Sequence, residues 1–218
     1  MKPKVLIIYS LDSPPTVVTA ETARIVQEIL NKKCDVHVLD PVKANNLALR
    51  FVSFLKEFDG IFYFGHGSRD KLHGQLWLGP IPVGVIRAML TVEDRFICTK
   101  IFYAVACLSA QILGDVFTKF GNARAYCGNQ YYTFIAYPSS EHNYAKDFID
   151  SFVEFVRVLA DGGTVGEAYH SMRRKMYEYI QLYRNMLDEW PNADFYLWAM
   201  KMNYEGFVLL GDKNITLL

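Results

Sequence analysis

Two short polar motifs each follow a strongly apolar run in this 218-residue chain. Gly65-His66-Gly67 comes directly after residues 61–64, and Ala106-Cys107 comes directly after residues 101–105. An imidazole and a thiol are the two side chains that cysteine-based nucleophilic catalysis uses, because the thiolate attacks and a base beside it takes the proton. The two motifs therefore predict acyl transfer from an amide or ester to Cys107, with His66 as the base.

The apolar runs before the two motifs are rich in aromatic and β-branched residues, which is typical of strands buried on both faces of a parallel sheet. Such sheets place their chemistry outside the carboxyl ends of the strands, so neighbouring strands would carry His66 and Cys107 to the same edge. Residues 108–113 have the composition of a helix start, whose free N–H groups would favour the thiolate. Gly67 has no side chain, so we expect its N–H and that of Cys107 to stabilise an oxyanion.

The rest of the chain alternates between strand-like and helix-like patterns. This βαβα order predicts a mostly parallel sheet with right-handed crossovers and helices on both faces. The predicted strands are 5–9, 36–39, 123–127 and 205–210; the predicted helices are one capped by Thr16 or Thr19, then 46–58, 83–90, 112–120, 142–160 and 165–187; residues 73–82 are predicted to form a hairpin or loop over the active edge.

The order of these elements resembles the caspase–haemoglobinase class of cysteine peptidases (clan CD), most closely its gingipain-like and CHAT branches. The resemblance covers roughly residues 60–212, and the chain departs from the family pattern at Lys213 and after Cys127. It implies a caspase-like three-layer α/β fold, a dyad of His66 and Cys107, a peptide or protein substrate, and no metal or organic cofactor. It rests on both motifs and also on Gly114-Asp115, the strand at 123–127, the helix start at 162–169 and the final 207–212 run.

Three further polar residues near the predicted edge have two readings each. The resemblance puts Asp12 in a loop that forms part of the specificity pocket, where a carboxylate would suit a Lys or Arg side chain of a substrate. Asp12 also fits an ordinary turn beside Ser13 and two prolines. Arg69 and Asp70 either line the same cleft or face water. His73 is the one other histidine close enough in sequence to His66 to be a rival base.

Composition limits the remaining possibilities. The chain has 23 basic and 23 acidic residues and is 51% hydrophobic, which indicates one dense α/β domain over residues 1–218. It gives no sign of a nucleic-acid or membrane partner. Without an N-terminal secretion signal or a long apolar span, we expect a cytoplasmic protein. The cysteines other than Cys107 are expected to be small buried hydrophobic residues, namely Cys34, Cys98 and Cys127.

Other functions compete with peptide hydrolysis. A CHAT-type module would keep the dyad but act by binding a protein partner or activator. A nucleotide- or flavin-binding fold fits the βαβ order, but Gly65-His66-Gly67-Ser68-Arg69-Asp70 lacks the third glycine of a phosphate-binding loop. A serine hydrolase is excluded because the chain has no G-x-S-x-G motif.

Overall fold

A computed structural model describes residues 1–11, 13–40, 57–78, 81–93, 97–135 and 142–218 of the chain. Nine strands occur among these residues, and most of them coincide with the apolar runs noted above. They are β1 (Lys4–Tyr9), β2 (Asp35–Leu39), β3 (Phe58–Phe64), β4 (Gly67–Ser68), β5 (Lys71–Leu78), β6 (Ile81–Thr91), β7 (Thr99–Val105), β8 (Ala123–Asn129) and β9 (Phe207–Gly211).

Six of these strands form the central sheet, in the order β2-β1-β3-β7-β8-β9. The first five are mutually parallel, and β9 alone runs antiparallel to its neighbour β8. The remaining strands form a separate antiparallel sheet in the order β4-β5-β6. The protein is therefore a mixed α/β structure with a mostly parallel central sheet, as the sequence pattern predicts.

Helices cover both faces of the central sheet. Side chains alternate along each strand, so that Phe62 and Phe64 pack into one buried cluster while Ile61 and Tyr63 pack into the other. Burial on both faces explains why the strands read as continuous apolar runs. The first cluster contains residues of four helices, α1 (Pro14–Leu30), α3 (Tyr144–Ala160), α4 (Val165–Asn185) and α5 (Ala193–Gly206), and the second contains residues of α2 (Leu113–Lys119) and of the small sheet.

The small sheet corrects one prediction and agrees with another. A helix over residues 83–90 is wrong, because β6 spans this stretch and pairs antiparallel with β5, with Leu72 opposite Leu90. The hairpin or loop expected over residues 73–82 is part of a longer hairpin that β5 and β6 form. Cross-strand pairing overrode the local helical pattern of residues 83–90. The helix predicted over residues 46–58 lies almost entirely outside the described residues, but its last residue, Phe58, is the first residue of β3.

The C-terminal third contains a helix that the sequence pattern did not indicate. α5 occupies residues that carried no prediction, and it extends through Glu205 and Gly206, which were predicted as strand. The start of α4 was predicted correctly. The Thr164 hydroxyl accepts from the Glu167 N–H at 3.2 Å, and the Glu167 carboxylate accepts from the Thr164 N–H at 2.8 Å. This reciprocal cap is the one that Thr and Glu at this spacing favour.

Three cysteines were predicted to be buried, and two of them are. Cys34 and Cys127 lie in the core, whereas Cys98 is exposed just before β7. No helix in the described part of the chain is both long and apolar enough to cross a bilayer.

Candidate functional site

The carboxyl ends of β3 and β7 lie side by side. Phe64 pairs with Val105 at the end of the parallel ladder, and the Gly65 N–H donates to the Val105 carbonyl oxygen at 3.2 Å. His66 stands two residues beyond Phe64, and Cys107 stands two residues beyond Val105. The sheet therefore brings the two residues to equivalent positions at one edge, because parallel neighbours end in the same direction.

The loops that carry the two residues approach each other closely at Gly67. A Cβ atom at this position would lie 2.7 Å from the Cys107 carbonyl oxygen and 3.0 Å from the Ala106 Cβ. A side chain there would push the two loops apart, so the close approach requires glycine. Gly67 also begins β4, where it pairs with Leu72. The role of the Gly67 and Cys107 N–H groups toward an oxyanion stays a prediction.

The His66 ring is held by a residue that the sequence did not single out. Ser13, the residue before α1, places its Oγ 2.9 Å from His66 Nε2. The Ser13 backbone is fixed in turn, since its N–H donates to the Thr16 hydroxyl at 3.0 Å. The position of Ser13 in the sequence could have indicated this contact. Ser13 follows β1, and the carboxyl end of β1 lies at the same edge of the sheet as that of β3.

The His66 backbone is also tied to the small sheet. The His73 N–H donates to the His66 carbonyl oxygen at 3.1 Å. The Tyr63 hydroxyl lies 2.6 Å from this oxygen and 2.6 Å from the carbonyl oxygen of His73. His73, the rival base, therefore lies in β5, and its backbone supports the segment that carries His66.

The Cys107 thiol is half-buried against Thr133. The Thr133 N–H donates to Cys107 Sγ at 3.3 Å, and Sγ lies 3.9 Å from the Thr133 carbonyl oxygen. Burial raises the pKa of the Cys107 thiol, and the hydrogen bonds with Thr133 act in the opposite direction. The resting group is thus a neutral thiol near pH 7, and a nucleophilic role requires a base to take its proton.

The helix predicted directly after Cys107 begins later. Residues 107–112 form turns, Leu108 adopts a left-handed backbone with φ of 57°, and α2 starts only at Leu113. The Leu108 N–H donates to the Tyr131 carbonyl oxygen at 2.8 Å, and the Ala110 N–H donates to the Asn129 carbonyl oxygen at 3.0 Å. The expectation that a helix N-terminus supports the thiolate is therefore wrong. These turns fold back onto the segment after β8, which sequence periodicity does not report.

The three residues proposed to line a substrate pocket have different outcomes. Asp12 lies outside the described residues. Arg69 and Asp70 form the turn between β4 and β5, and the Arg69 carbonyl oxygen accepts from the N–H groups of Ile112 and Leu113 at 3.0 and 2.9 Å. The Asp70 carboxylate accepts from the Ser68 hydroxyl at 3.3 Å. These contacts give both residues a structural role, and a role toward substrate stays a prediction.

A second histidine, His142, lies in a side-chain network between two helices. His142 Nε2 is 2.6 Å from the Asp147 carboxylate, and the Tyr183 hydroxyl donates to the same oxygen at 2.9 Å. The His142 ring also stacks on Trp190 with 4.4 Å between ring centroids. This network joins α3 to α4 and gives His142 a structural role.

Comparisons with known proteins give no family for the chain. No model of a known protein family matches it, and no characterised protein matches it either. Its function must therefore be inferred from the residues at the sheet edge.

Proposed function

We propose that this chain is a cysteine endopeptidase-like hydrolase on a caspase-like fold. The observation that carries the proposal is the register of β3 and β7, which sets His66 and Cys107 at equivalent positions beyond paired residues. The mostly parallel sheet, with helices on both faces, is compatible with the fold that the family resemblance implies. The close approach of the Gly67 backbone to the Cys107 carbonyl further supports the proposal.

The proposed reaction has two steps. Cys107 Sγ attacks the carbonyl carbon of the scissile peptide bond while His66 takes the thiol proton, and the N–H groups of Gly67 and Cys107 stabilise the oxyanion. The C–N bond then breaks, and His66 returns the proton to the leaving amine. Water next attacks the thioester, gives up a proton through His66, and releases the carboxylic acid and the free thiol.

Because the pKa of the Cys107 thiol is raised, activation of this nucleophile depends mainly on the base, His66. A thiol kept neutral by burial is a weak nucleophile, so proton removal must accompany the attack. Ser13 contributes to this step because its contact with His66 Nε2 fixes the orientation of the imidazole that takes the proton. No metal or organic cofactor takes part in this scheme.

The test is covalent labelling by an acyloxymethyl-ketone probe, together with cleavage of a peptide library. We expect Cys107→Ala to abolish both and His66→Ala to reduce both by at least about a hundredfold, the usual range for a general base. Cys98→Ser is the matched control, because Cys98 is an exposed cysteine at the other end of the same strand. Labelling that survives Cys107→Ala contradicts the proposal, as does labelling that is lost in Cys98→Ser.

A second function is favoured by the contacts of the sulfur. Both backbone polar groups of Thr133 face Cys107 Sγ, which leaves the thiol partly covered at rest. A CHAT-type module that binds a protein partner would tolerate such a covered cysteine. Efficient turnover by the isolated chain would exclude this alternative, whereas binding of a protein partner without peptide turnover would support it.

A further inference from the structure

The residues after β8 pass directly over the candidate nucleophile. We call residues 130–135 the covering segment; they have no regular secondary structure and include Thr133, the residue bonded to Cys107 Sγ. A backbone N–H aimed at sulfur stabilises the thiolate more than the thiol, because hydrogen bonds to charged groups are the stronger ones. The effect of the Thr133 N–H on Cys107 therefore depends on how firmly the Thr133 backbone is held.

One buried amide holds the covering segment next to Thr133. Asn203 lies in α5, is fully buried, and accepts from the Phe134 N–H through Oδ1 at 3.0 Å. Its Nδ2 donates to the Phe134 carbonyl oxygen at 2.7 Å. Asn203 therefore satisfies both backbone groups of the residue that follows Thr133, as a neighbouring strand would.

Two other contacts fix the same stretch. The Phe134 ring packs edge-on against Trp198 of α5, with 4.5 Å between centroids. Asn129, the last residue of β8, donates from Nδ2 to the Thr133 hydroxyl at 3.2 Å. The Thr133 peptide is thus held between β8 and α5, with its N–H directed at the sulfur.

Few titratable groups near Cys107 could affect the pKa of its thiol in addition to this hydrogen bond. His66 is the titratable residue at the end of the neighbouring strand, and the covering segment itself carries Tyr131 and Tyr132, both exposed. Within the described part of the chain, the causes that shift the pKa of Cys107 are burial and hydrogen bonds, with no charged side chain among them.

We propose that Asn203 is a positioning residue, which holds the covering segment so that the Thr133 N–H donates to Cys107 Sγ and stabilises the thiolate. This inference rests on the proposed function in that it concerns the same nucleophile. It also makes a statement about the thiol that holds whether or not the chain cleaves peptides.

The experiment measures the alkylation rate of Cys107 by iodoacetamide against pH, with the modified peptide identified by mass spectrometry in a Cys98→Ser background. Thr133→Pro removes the donor itself, because proline has no N–H. Thr133→Ser is its matched control, since it keeps both the N–H and the hydroxyl that accepts from Asn129. Asn203→Ala removes the support, and Glu205→Ala, at an exposed position of the same helix, is the control for that variant.

We expect Asn203→Ala and Thr133→Pro each to raise the apparent pKa of Cys107 by about one unit, the size of one hydrogen bond to a charged group. The alkylation rate at pH 7.5 would then fall roughly tenfold, since one pKa unit is a tenfold change in thiolate. Thr133→Ser and Glu205→Ala should leave the apparent pKa of Cys107 within about 0.3 units of the parent value, well below that shift.

An unchanged pKa in Asn203→Ala and Thr133→Pro overturns the proposal. A lowered pKa with a faster maximal rate overturns it too, because Asn203 would then hold a shield that only excludes water. Circular dichroism establishes that each variant is folded, and Thr133→Pro tests the donor independently should Asn203→Ala unfold. Alkylation needs no peptide turnover, so an inactive chain with the expected shift refutes the proposed function and leaves this inference standing.

Discussion

Two histidines in this protein sit in very different surroundings. His142 belongs to a network of side chains, in which Asp147 accepts from Tyr183 and lies 2.6 Å from the imidazole. His66 lies on a loop at the sheet edge, where its ring contacts the Ser13 hydroxyl and its backbone is bonded to β5. A carboxylate next to a histidine is therefore not what marks the candidate site here. The mark is that His66 follows the end of β3 as Cys107 follows the end of the neighbouring strand β7.

The two regions also differ in what holds them. The Asp147 side chain is 8% exposed and joins α3 to α4 through the hydrogen bond that it accepts from Tyr183. Burial and Asp147 together raise the pKa of Tyr183, which keeps its hydroxyl protonated as a donor. At the sheet edge the main fixed elements are backbone groups, such as the Gly67 contact and the Thr133 N–H. We therefore expect changes in the helical network to affect stability and changes at the edge to affect the thiol.

The largest effect should come from Asp147→Ala. Removal of the carboxylate leaves the His142 ring and the Tyr183 hydroxyl without their shared acceptor, and we expect a loss of about 3 kcal/mol in the free energy of unfolding. Urea denaturation measures it, with Asp188→Ala at an exposed position as the control. The folded variant should retain probe labelling of Cys107 within about twofold of the parent, a factor worth about 0.4 kcal/mol. A loss below about 1 kcal/mol, the value of an ordinary hydrogen bond, would contradict the distinction between the two regions.

Gly67→Ala should give the converse result. Its Cβ would lie 2.7 Å from the Cys107 carbonyl oxygen, so the two loops must separate. We expect probe labelling to fall at least about tenfold with a stability loss of about 1–2 kcal/mol, as in other overpacked sites. Labelling kinetics at fixed probe concentration measure the effect, and Ser68→Ala, the next residue of β4, is the control. Normal labelling in Gly67→Ala would show that the two loops act independently.

Ser13→Ala should have a smaller effect, confined to the sheet edge. It removes the hydroxyl that lies 2.9 Å from His66 Nε2. One hydrogen bond of about 1 kcal/mol corresponds to roughly a fivefold slower labelling rate. Ser13→Thr keeps a hydroxyl and should restore most of the rate. A loss of stability without a change in rate would give Ser13 only a capping role at α1.

The smallest effect should be a difference in the pH dependence of stability between the two regions. Burial alone would raise the pKa of Asp150 in α3, but hydrogen bonds from Arg157, Tyr179 and Lys175 lower it overall. Its contribution is therefore present above the ordinary value of 3.8 and is lost as pH falls through the lower folded pKa. Asp150→Asn should flatten the acid side of a curve of unfolding free energy against pH.

Cys107 should affect the free energy of unfolding at the alkaline end of the pH range. Burial raises its pKa above the ordinary value of 9.0, so its contribution is present below that pH and is lost as pH rises through the folded pKa. Cys107→Ala should flatten part of the alkaline side and leave the acid side unchanged. Equal slopes for parent and variant above pH 9.0 would show that the folded thiol ionises as it does in the unfolded chain.

The central strands were predictable because burial on both faces leaves a simple pattern. The runs that became β1, β3 and β7 are largely apolar, and they end before Ser10, Gly65 and Ala106-Cys107 respectively. The helical cap at Thr164 was predictable for a similar reason, since its partners are three residues apart. Features of this kind depend on neighbours in the sequence.

β6 and α5 were missed because their stability comes from distant partners. β6 contains residues that also suit a short helix, and its pairing with β5 decides its conformation. α5 has no strong apolar stripe, and buried residues such as Ala199 and Met200 hold it against the rest of the core. Tertiary contacts commonly override such weak local preferences.

The sequence by itself determined that an imidazole and a thiol would each follow a buried strand, because apolar runs and their polar ends are local properties. Only the tertiary structure decided what surrounds them. Ser13, Thr133 and Asn203 are 53, 26 and 69 residues from the groups that they contact, and no periodicity links them. Their hydrogen bonds form only once the sheet, α1 and α5 have packed together, since the directions of donors and acceptors are set by the fold.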